Sequence, residues 1–292
     1  MPVPLAFVCV IMIWSTTPLG IQWSTEGVGF LFGVSSRMLI GVCLAALVMW
    51  LLRQPFPLHR KALWTHLVSG IGIFIAMMGT YWAALYIPSG WISVLWGLSP
   101  IFTGVWATFF IGENIFVLHR FIGLVLGITG LAVIFLYGVK LGEFAGMGVS
   151  LVLIAVVGQT STAVWIKKID AGIQGLAMTV GGLVVAVPLF WLTWWLVDGV
   201  WPVIIPQRAL ASIFYLAVMG SVVGFSLYYY LLTQVEASRV ALITLVTPVT
   251  ALVLGHFLNN EVLTTSVFLG TGLILLGLLS FEWDAVGSHK AG

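Results

Sequence analysis

Charged side chains are scarce in this sequence of 292 residues, where Asp, Glu, Lys and Arg together make up 7%. An ordinary soluble domain carries about 25%, so the composition excludes a soluble enzyme or a soluble binding module. The 11 basic residues exceed the 9 acidic ones by only two, and we therefore expect no nucleic-acid partner.

Cysteine and the usual catalytic motifs are also rare or missing. The two cysteines, Cys9 and Cys43, lie in apolar stretches with no CxxC spacing, which favours simple packing over a disulfide or metal site. The sequence contains no HExxH, no DDxxD-like cluster, no GxSxG and no Walker lysine, and each of these serves hydrolysis, prenyl transfer or ATP use. We therefore expect no enzyme, no metal site and no cofactor.

Apolar residues are abundant, at 61% of the chain, with a mean hydropathy of +1.16. A helix needs about 20 apolar residues to cross a bilayer, and the chain offers ten such stretches separated by short connections. The sequence thus predicts an all-α integral membrane protein with ten transmembrane helices. The predicted spans cover residues 4–22, 28–51, 63–85, 88–112, 119–139, 147–166, 174–197, 209–232, 237–258 and 263–281.

The basic residues outside these spans predict how the chain is oriented. Cytoplasmic loops are enriched in Lys and Arg. A cytoplasmic N-terminus would place eight basic residues inside the cell and only Lys140 and Arg208 outside. We therefore expect both termini in the cytoplasm and the protein in the cell inner membrane. The eight are Arg53, Arg60, Lys61, Arg120, Lys167, Lys168, Arg239 and Lys290.

An internal repeat divides the chain. Pro100 precedes Glu113 by thirteen residues and Pro248 precedes Glu261 by the same number, an offset of 148 between the two copies. The comparison predicts a first repeat in residues 1–140 and a second in 141–292. Since five spans are an odd number, the second repeat would enter the membrane from the opposite side. Inverted repeats are typical of secondary transporters; a duplication retained only for folding is the alternative.

Two long segments carry a resemblance to a known family. They are "YWAALYIPSGWISVLWGLSPIFTGVWATFFIGENIFVLHRFIGLVLGITGLAVIF" and "YYYLLTQVEASRVALITLVTPVTALVLGHFLNNEVLTTSVFLGTGLILLGLLSF", in which an aromatic segment leads to a Pro, a Glu and a helix with spaced glycines. This order resembles the EamA-type members of the drug/metabolite transporter superfamily, as does Arg37 in "SSRMLIG". The resemblance implies ten helices, a central pocket and transport of small metabolites, often export of amino acids.

The paired prolines predict kinks in spans 4 and 9. Pro100 cannot bond the carbonyl of Trp96, and Pro248 cannot bond that of Thr244. A carbonyl freed at membrane depth needs another partner. It could be offered to a substrate ammonium or hydroxyl group, or it could be satisfied locally by Ser99 or Thr247.

Arg37 is the charged residue that the pattern places inside a span. An unpaired guanidinium there would cost at least about 2.5 kcal/mol, so something must compensate it. A substrate carboxylate is one candidate, and helix-end carbonyls or Glu26 are the alternative.

Polar and aromatic residues on predicted inner faces complete the candidate site. Aromatic rings could form apolar walls while polar side chains fix the other end of a substrate; many of the 14 tryptophans could instead form interfacial belts. We expect the substrate-binding set to be Trp14, Thr17, Arg37, Tyr81, Trp96, Gln159, Tyr229 and Thr244.

The acidic residues bear on energy coupling. All nine lie in predicted loops or at span ends, whereas proton-driven pumps usually hold Asp, Glu or His in the interior; His66 and His256 are the remaining candidates here. We expect a secondary transporter of small metabolites, amino acids first, that works by alternating access and without tight proton coupling. Its partners would be a small-molecule substrate and the lipid bilayer, and a monomer is plausible. The alternatives are a proton-coupled efflux pump, a passive channel and a non-transporting scaffold.

Overall fold

A computed structural model of the chain describes residues 1–112, 118–137, 143–237, 240 and 243–281. All the regular secondary structure in these ranges is helical. In chain order the helices are α1 (Val3–Thr25), α2 (Phe30–Leu51), α3 (Arg60–Ala83), α4 (Ser89–Trp96), α5 (Ser99–Ile111), α6 (Leu118–Tyr137), α7 (Ala145–Ile169), α8 (Gly175–Val197), α9 (Gln207–Tyr215), a π-helical segment (Leu216–Gly224), α10 (Phe225–Gln234), α11 (Ile243–Asn259) and α12 (Thr265–Phe281).

Seven helical stretches in the described residues are long and apolar enough to cross a bilayer. Two of them are composite, because α4 and α5 join as Ser89–Ile111, and α9, the π segment and α10 join as Gln207–Gln234. The prediction of an all-α membrane protein is therefore confirmed. Helices α6, α11 and α12 coincide with the other three predicted spans, but the count of ten crossings stays a prediction.

The stretch predicted as span 4 is two helices rather than one. Helix α4 ends at Trp96, and α5 begins at Ser99 with Pro100 in its first turn. Proline is tolerated there because the amide it lacks has no partner within the helix in any case. By contrast, Pro248 lies inside the continuous helix α11, while Glu113, the other end of the first proline–glutamate pair, lies outside the described residues.

Helices α6 and α12 pack together through glycines. A Cβ atom on Gly130 would lie 2.5 Å from the carbonyl oxygen of Gly270, and one on Gly277 would lie 2.7 Å from that of Gly123. Larger side chains would therefore force these helices apart, which is the reason why small residues favour helix contact in membranes.

The remaining helices enclose the centre of the molecule. Helix α3 packs against α7 and α8, α1 packs against α9 and α11, and α11 also contacts α4. The main buried cluster draws side chains from residues before and after the predicted repeat boundary, for example Met38, Tyr81, Leu183 and Tyr229. A shared interior of this kind leaves room for a site between the first and second parts of the chain.

Candidate functional site

A central cavity of about 70 Å³ lies among helices α1, α2, α3, α4, α7, α10 and α11. This volume holds on the order of five water molecules. Ligand pockets usually begin at roughly 300 Å³, so the space must widen to accept a metabolite. The lining residues are Trp14, Thr17, Pro18, Ile21, Arg37, Ile73, Ala76, Met77, Thr80, Ile92, Ser93, Trp96, Gln159, Phe225, Thr244 and Thr247.

Six of the eight residues predicted to bind substrate line this cavity. They are Trp14, Thr17, Arg37, Trp96, Gln159 and Thr244. The other two lie outside its wall. The tyrosines at positions 81 and 229 are fully buried in the main apolar cluster, at 0% and 1% exposure.

Arg37 is 1% exposed and makes no ion pair with a described carboxylate. Its Nε donates to Ser221 Oγ at 3.1 Å, and its Nη1 donates a longer bond of 3.4 Å to the Tyr81 hydroxyl. Glu26, the alternative partner, instead lies 3.5 Å from Arg208. A guanidinium has five N–H donors, so three of those on Arg37 have no hydrogen-bond acceptor among the described residues.

Gln159 supplies an acceptor in the same cavity. Its side chain is 9% exposed, and its Oε1 has no hydrogen-bond partner among the described residues. Burying an amide oxygen without a partner is unfavourable by about 1–3 kcal/mol. The cavity therefore offers a cation with spare donors and a neutral group with a spare acceptor.

The indole of Trp96 is held in place by a residue that the sequence did not single out. Thr80 Oγ1 accepts a bond of 3.2 Å from Trp96 Nε1 and donates its own proton to the carbonyl of Ala76 at 2.6 Å. Because both polar groups are satisfied, the ring forms a fixed apolar wall. Periodicity could have suggested Thr80, since Ala76 and Met77 on the same helix also line the cavity.

The carbonyl freed by Pro100 has a local partner. Ser99 Oγ donates to the oxygen of Trp96 at 2.5 Å, so this carbonyl is occupied by the neighbouring serine, one of the two alternatives considered from the sequence. Pro248 packs close to the break between α4 and α5, within 3.4 Å of the position that a Cβ on Gly97 would take.

A second, smaller space adjoins the central one. It measures about 30 Å³ and is reached past Trp14, Trp96, Gln159 and Thr244, which line both spaces. Ser99, Thr103 and Thr160 add hydroxyl groups to its wall. Trp14 and Trp96 thus lie between the two spaces.

A wider recess of about 890 Å³ lies at the ends of α2, α7, α8 and α10, and its lining includes Lys167, Asp170 and Gln174. None of the predicted site residues lines this recess. We place the candidate site in the smaller central cavity, where Arg37, Gln159 and the aromatic walls meet.

A polar network around Glu261 closes one end of the region between α1, α4 and α11. The Glu261 carboxylate accepts from the backbone amides of Ser89 and Gly90 at 3.0 Å each. Asn259 bonds both Glu261 and Gln22, at 3.3 and 3.0 Å. Sequence reasoning had treated Glu261 only as a marker of the repeat.

The titratable residues considered for proton coupling lie away from the cavity. His66 contacts the carbonyl of Pro57 at 3.1 Å, and His256 contacts that of Glu261 at 2.9 Å. Neither lines the central space. Every Asp and Glu in the described residues lies outside the helices, namely Glu26, Glu143, Asp170, Asp198, Glu236 and Glu261.

Comparison with known proteins places these features in a family. The pattern of the EamA-like transporter family matches residues 1–136 and again 146–281. A probable amino-acid metabolite efflux pump of Escherichia coli (strain K12) is 27% identical over 65% of this chain and 66% of its own length. A probable terminal-alkyne amino-acid exporter of Streptantibioticus cattleyicolor is 24% identical over 98% of this chain and 95% of its own.

A solved crystal structure has the same fold. It superposes with a TM-score of 0.66 at 19% identity and covers 99% of both chains. The two chains thus share one fold over nearly their whole length. Because the family pattern covers most of the sequence, the chain belongs to the EamA-like transporter family, as the resemblance had indicated. It is a multi-pass membrane transporter, and the family consists of transporters rather than enzymes.

Proposed function

We propose that the protein moves small zwitterionic metabolites, amino acids first, out of the cell across the inner membrane. The observation that carries this proposal is Arg37, a buried guanidinium that lines the central cavity with three donors unused by the described residues. A carboxylate is the group that best matches the planar fork of an arginine.

The rest of the cavity suits the other parts of an amino acid. Gln159 Oε1 provides a buried acceptor for an ammonium group, and Trp14 and Trp96 provide apolar walls for a side chain. The names of the two relatives, which mention an amino-acid metabolite and a terminal-alkyne amino acid, point to the same class and favour export.

Alternating access between two inverted five-helix repeats is the mechanism that we propose. The glycine contacts between α6 and α12 support it, because they are reciprocal. Gly130 faces Gly270 and Ile274, while Gly277 faces Gly123 and Gly127. In this part of the repeat the matching positions are 147 residues apart, one fewer than at the prolines. Gly123 matches Gly270, Gly127 matches Ile274 and Gly130 matches Gly277, so each contact maps onto the other, as a two-fold relation between the repeats requires.

We propose that transport is facilitated or an exchange rather than tightly proton-coupled. The positions of His66, His256 and the described carboxylates outside the cavity favour this reading. The proposed orientation, with both termini in the cytoplasm, rests on the distribution of basic residues in the loops. Concentrative uptake into liposomes under an imposed pH gradient alone would favour the proton-coupled alternative.

The first prediction tests the substrate class with four amino acids, leucine, phenylalanine, threonine and lysine, each paired with its own carboxamide. Purified protein should gain thermal stability from at least one amino acid, and proteoliposomes should show saturable counterflow of it. Arg37→Gln should lower the apparent affinity for the amino acid at least about tenfold in both the stabilisation and the counterflow measurements, because a charge-assisted bond is lost. Exposed Arg60 gives the control Arg60→Gln, which should leave them unchanged.

Three results would contradict the proposal. One is that none of the four amino acids stabilises the protein or exchanges across the membrane. The second is that Arg37→Gln transports as the unaltered protein does, and the third is that the unaltered protein does not distinguish the amino acids from their carboxamides. Flux that does not saturate and shows no counterflow would favour the channel alternative.

A further inference from the structure

The helical stretch Gln207–Gln234 changes its hydrogen-bond register where it passes Arg37. Residues Leu216–Gly224 are π-helical, between the α-helical segments α9 and α10. Such segments are rare and are frequently found at functional sites. Nine residues in this conformation therefore need a compensating contact.

The π segment makes that contact with the guanidinium of Arg37. Ser221 is 0% exposed, and its Oγ accepts from Nε of Arg37 while its own proton is directed at Met38 Sδ, 3.8 Å away. The hydroxyl thus acts both as acceptor and as donor. Its acceptor side serves Arg37 alone among the described residues.

Gly220 lets the backbone approach the same group. A Cβ atom at this position would lie 2.6 Å from Nη2 of Arg37, which is closer than two such atoms can come. Helix α2 mirrors this closeness one turn beyond Arg37, because a Cβ on Gly41 would lie 3.0 Å from Cβ of Ser221. The two helices therefore meet at small residues directly beside the guanidinium.

The register of the π segment links this contact to the cavity. Phe225, the residue after the segment, lines the central space. An α-helix turns about 100° per residue, so a change of register within the segment would rotate Ser221 relative to Phe225. With the π segment in place, Ser221 contacts Arg37 while Phe225 lines the central cavity.

We propose that the π segment is a positioning device for Arg37, with Ser221 as the positioning residue that makes the site prefer a carboxylate to a carboxamide. Ser221 holds Nε of Arg37, and Gly220 leaves room for its Nη2. The unused N–H donors of Arg37 therefore stay oriented toward the cavity. This inference rests on the proposed function, in which Arg37 binds the substrate carboxylate.

The second prediction concerns Ser221→Ala, which removes the hydroxyl without adding volume. The measured quantity is the ratio of KM values for leucine, phenylalanine, threonine and lysine against their carboxamides in counterflow. We expect this preference to fall about tenfold, with little change in the maximal rate. Gly220→Ala should have the same effect, because its methyl group displaces Nη2. Ser221→Thr, which keeps the hydroxyl, should restore the preference.

Ser35→Ala is the matched control. Ser35 lies on α2, the helix that carries Arg37, and like Ser221 it is 0% exposed, but its hydroxyl has no hydrogen-bond partner among the described residues. This variant should keep the preference of the unaltered protein. Thermal unfolding of each purified variant reports whether it is folded.

The outcomes separate this inference from the proposed function. If Arg37→Gln abolishes the preference and Ser221→Ala retains it, the positioning role is wrong while the substrate class stands. An equal loss in Ser35→Ala and Ser221→Ala would also overturn the positioning role. If the unaltered protein does not distinguish acids from amides, the proposed function itself fails.

Discussion

The hydroxyl group of Thr80 fixes the orientation of Trp96, an aromatic residue in the wall of the central cavity. It accepts from the indole of Trp96 and donates to the carbonyl of Ala76, at 3.2 and 2.6 Å. Removing it would leave a buried indole N–H without its acceptor, which is unfavourable by about 1–3 kcal/mol.

The third prediction is that Thr80→Val lowers the free energy of unfolding in detergent by about 1 kcal/mol or more. Valine has nearly the same shape, so the change isolates the lost hydrogen bond. Thr108→Val is the control, because among the described residues the Thr108 hydroxyl bonds only the carbonyl of Gly104, at 3.1 Å. The effect of this change should stay below about 0.5 kcal/mol. Equal effects of the two changes would show that the Trp96 contact contributes nothing.

At this scale the sequence predicted the chemistry of the site better than its exact members. Polar residues such as Gln159 were expected to face inward because lipid offers them no partner, and Gln159 does line the cavity. Tyr81 was predicted to bind substrate, whereas the structure places its neighbour Thr80 in the wall of the cavity. Adjacent helical residues point about 100° apart, and periodicity alone does not fix which of two gaps between helices each residue faces.

Among the helices, α4 depends most clearly on a distant residue. It has only eight residues, and a helix leaves its first four amide groups without partners inside it. The amides of Trp91 and Ile92 bond the carbonyl of Pro88 at 3.1 and 3.2 Å, while Glu261 accepts those of Ser89 and Gly90. A carboxylate at this end also interacts favourably with the helix dipole.

The fourth prediction is that Glu261→Ala destabilises the protein by about 1–2 kcal/mol, the usual range for loss of a helix cap. Thermal unfolding in detergent should show this loss, together with weaker stabilisation by an amino acid, because Ser93 and Trp96 of α4 line the cavity. The control is Glu143→Ala, at an exposed carboxylate just before α7. An unfolding midpoint equal to that of the control would contradict the capping role.

The sequence located the helices well and missed two irregularities within them. The predicted first span, residues 4–22, lies inside α1 (Val3–Thr25). A kink at Pro100 was predicted in span 4, but a complete break between α4 and α5 was not, and neither was the π segment. Both features concern which backbone groups bond each other. The hydrophobic pattern indicates which face of a helix is buried, but it says little about which backbone amide bonds which carbonyl.

For the molecule as a whole, the Glu261 network joins three helices that the chain order keeps far apart. Trp23 Nε1 donates to Asn259 Oδ1 at 3.2 Å, and Gln22 Nε2 donates to the carbonyl of Ile87 at 3.1 Å. These bonds connect the end of α1 with the beginning of α4 and the end of α11. If transport proceeds by alternating access, as proposed, we expect this junction to open during the cycle.

The fifth prediction is that cross-linking this junction stops transport. Cysteines replace Gln22 and Asn259, whose side chains are 3.0 Å apart, in a chain where Cys9 and Cys43 have been changed to Ala. A disulfide or a short bifunctional thiol reagent should abolish counterflow. For the disulfide, reductant should restore it.

The single-cysteine variants, treated in the same way, are the controls and should remain active. Full counterflow by a completely cross-linked protein would show that this junction does not move during transport.

Composition alone was sufficient to predict a helical membrane protein, because a chain so poor in charge cannot remain solvated in water. The repeat at Pro100 and Pro248 indicated two related parts, yet it could not reveal that one copy begins a new helix and the other lies within one. The fold brings the two copies together, with Pro248 packed near Gly97 at the break between α4 and α5.

The carboxylate of Glu261 belongs to the second part of the chain, and the helix whose amides it covers belongs to the first. Helix α4 would therefore lose the acceptor of two of its amides if the first part were made without the second. If the chain were cut between the two parts, we expect α4 to lack this acceptor until both fragments met again during membrane insertion.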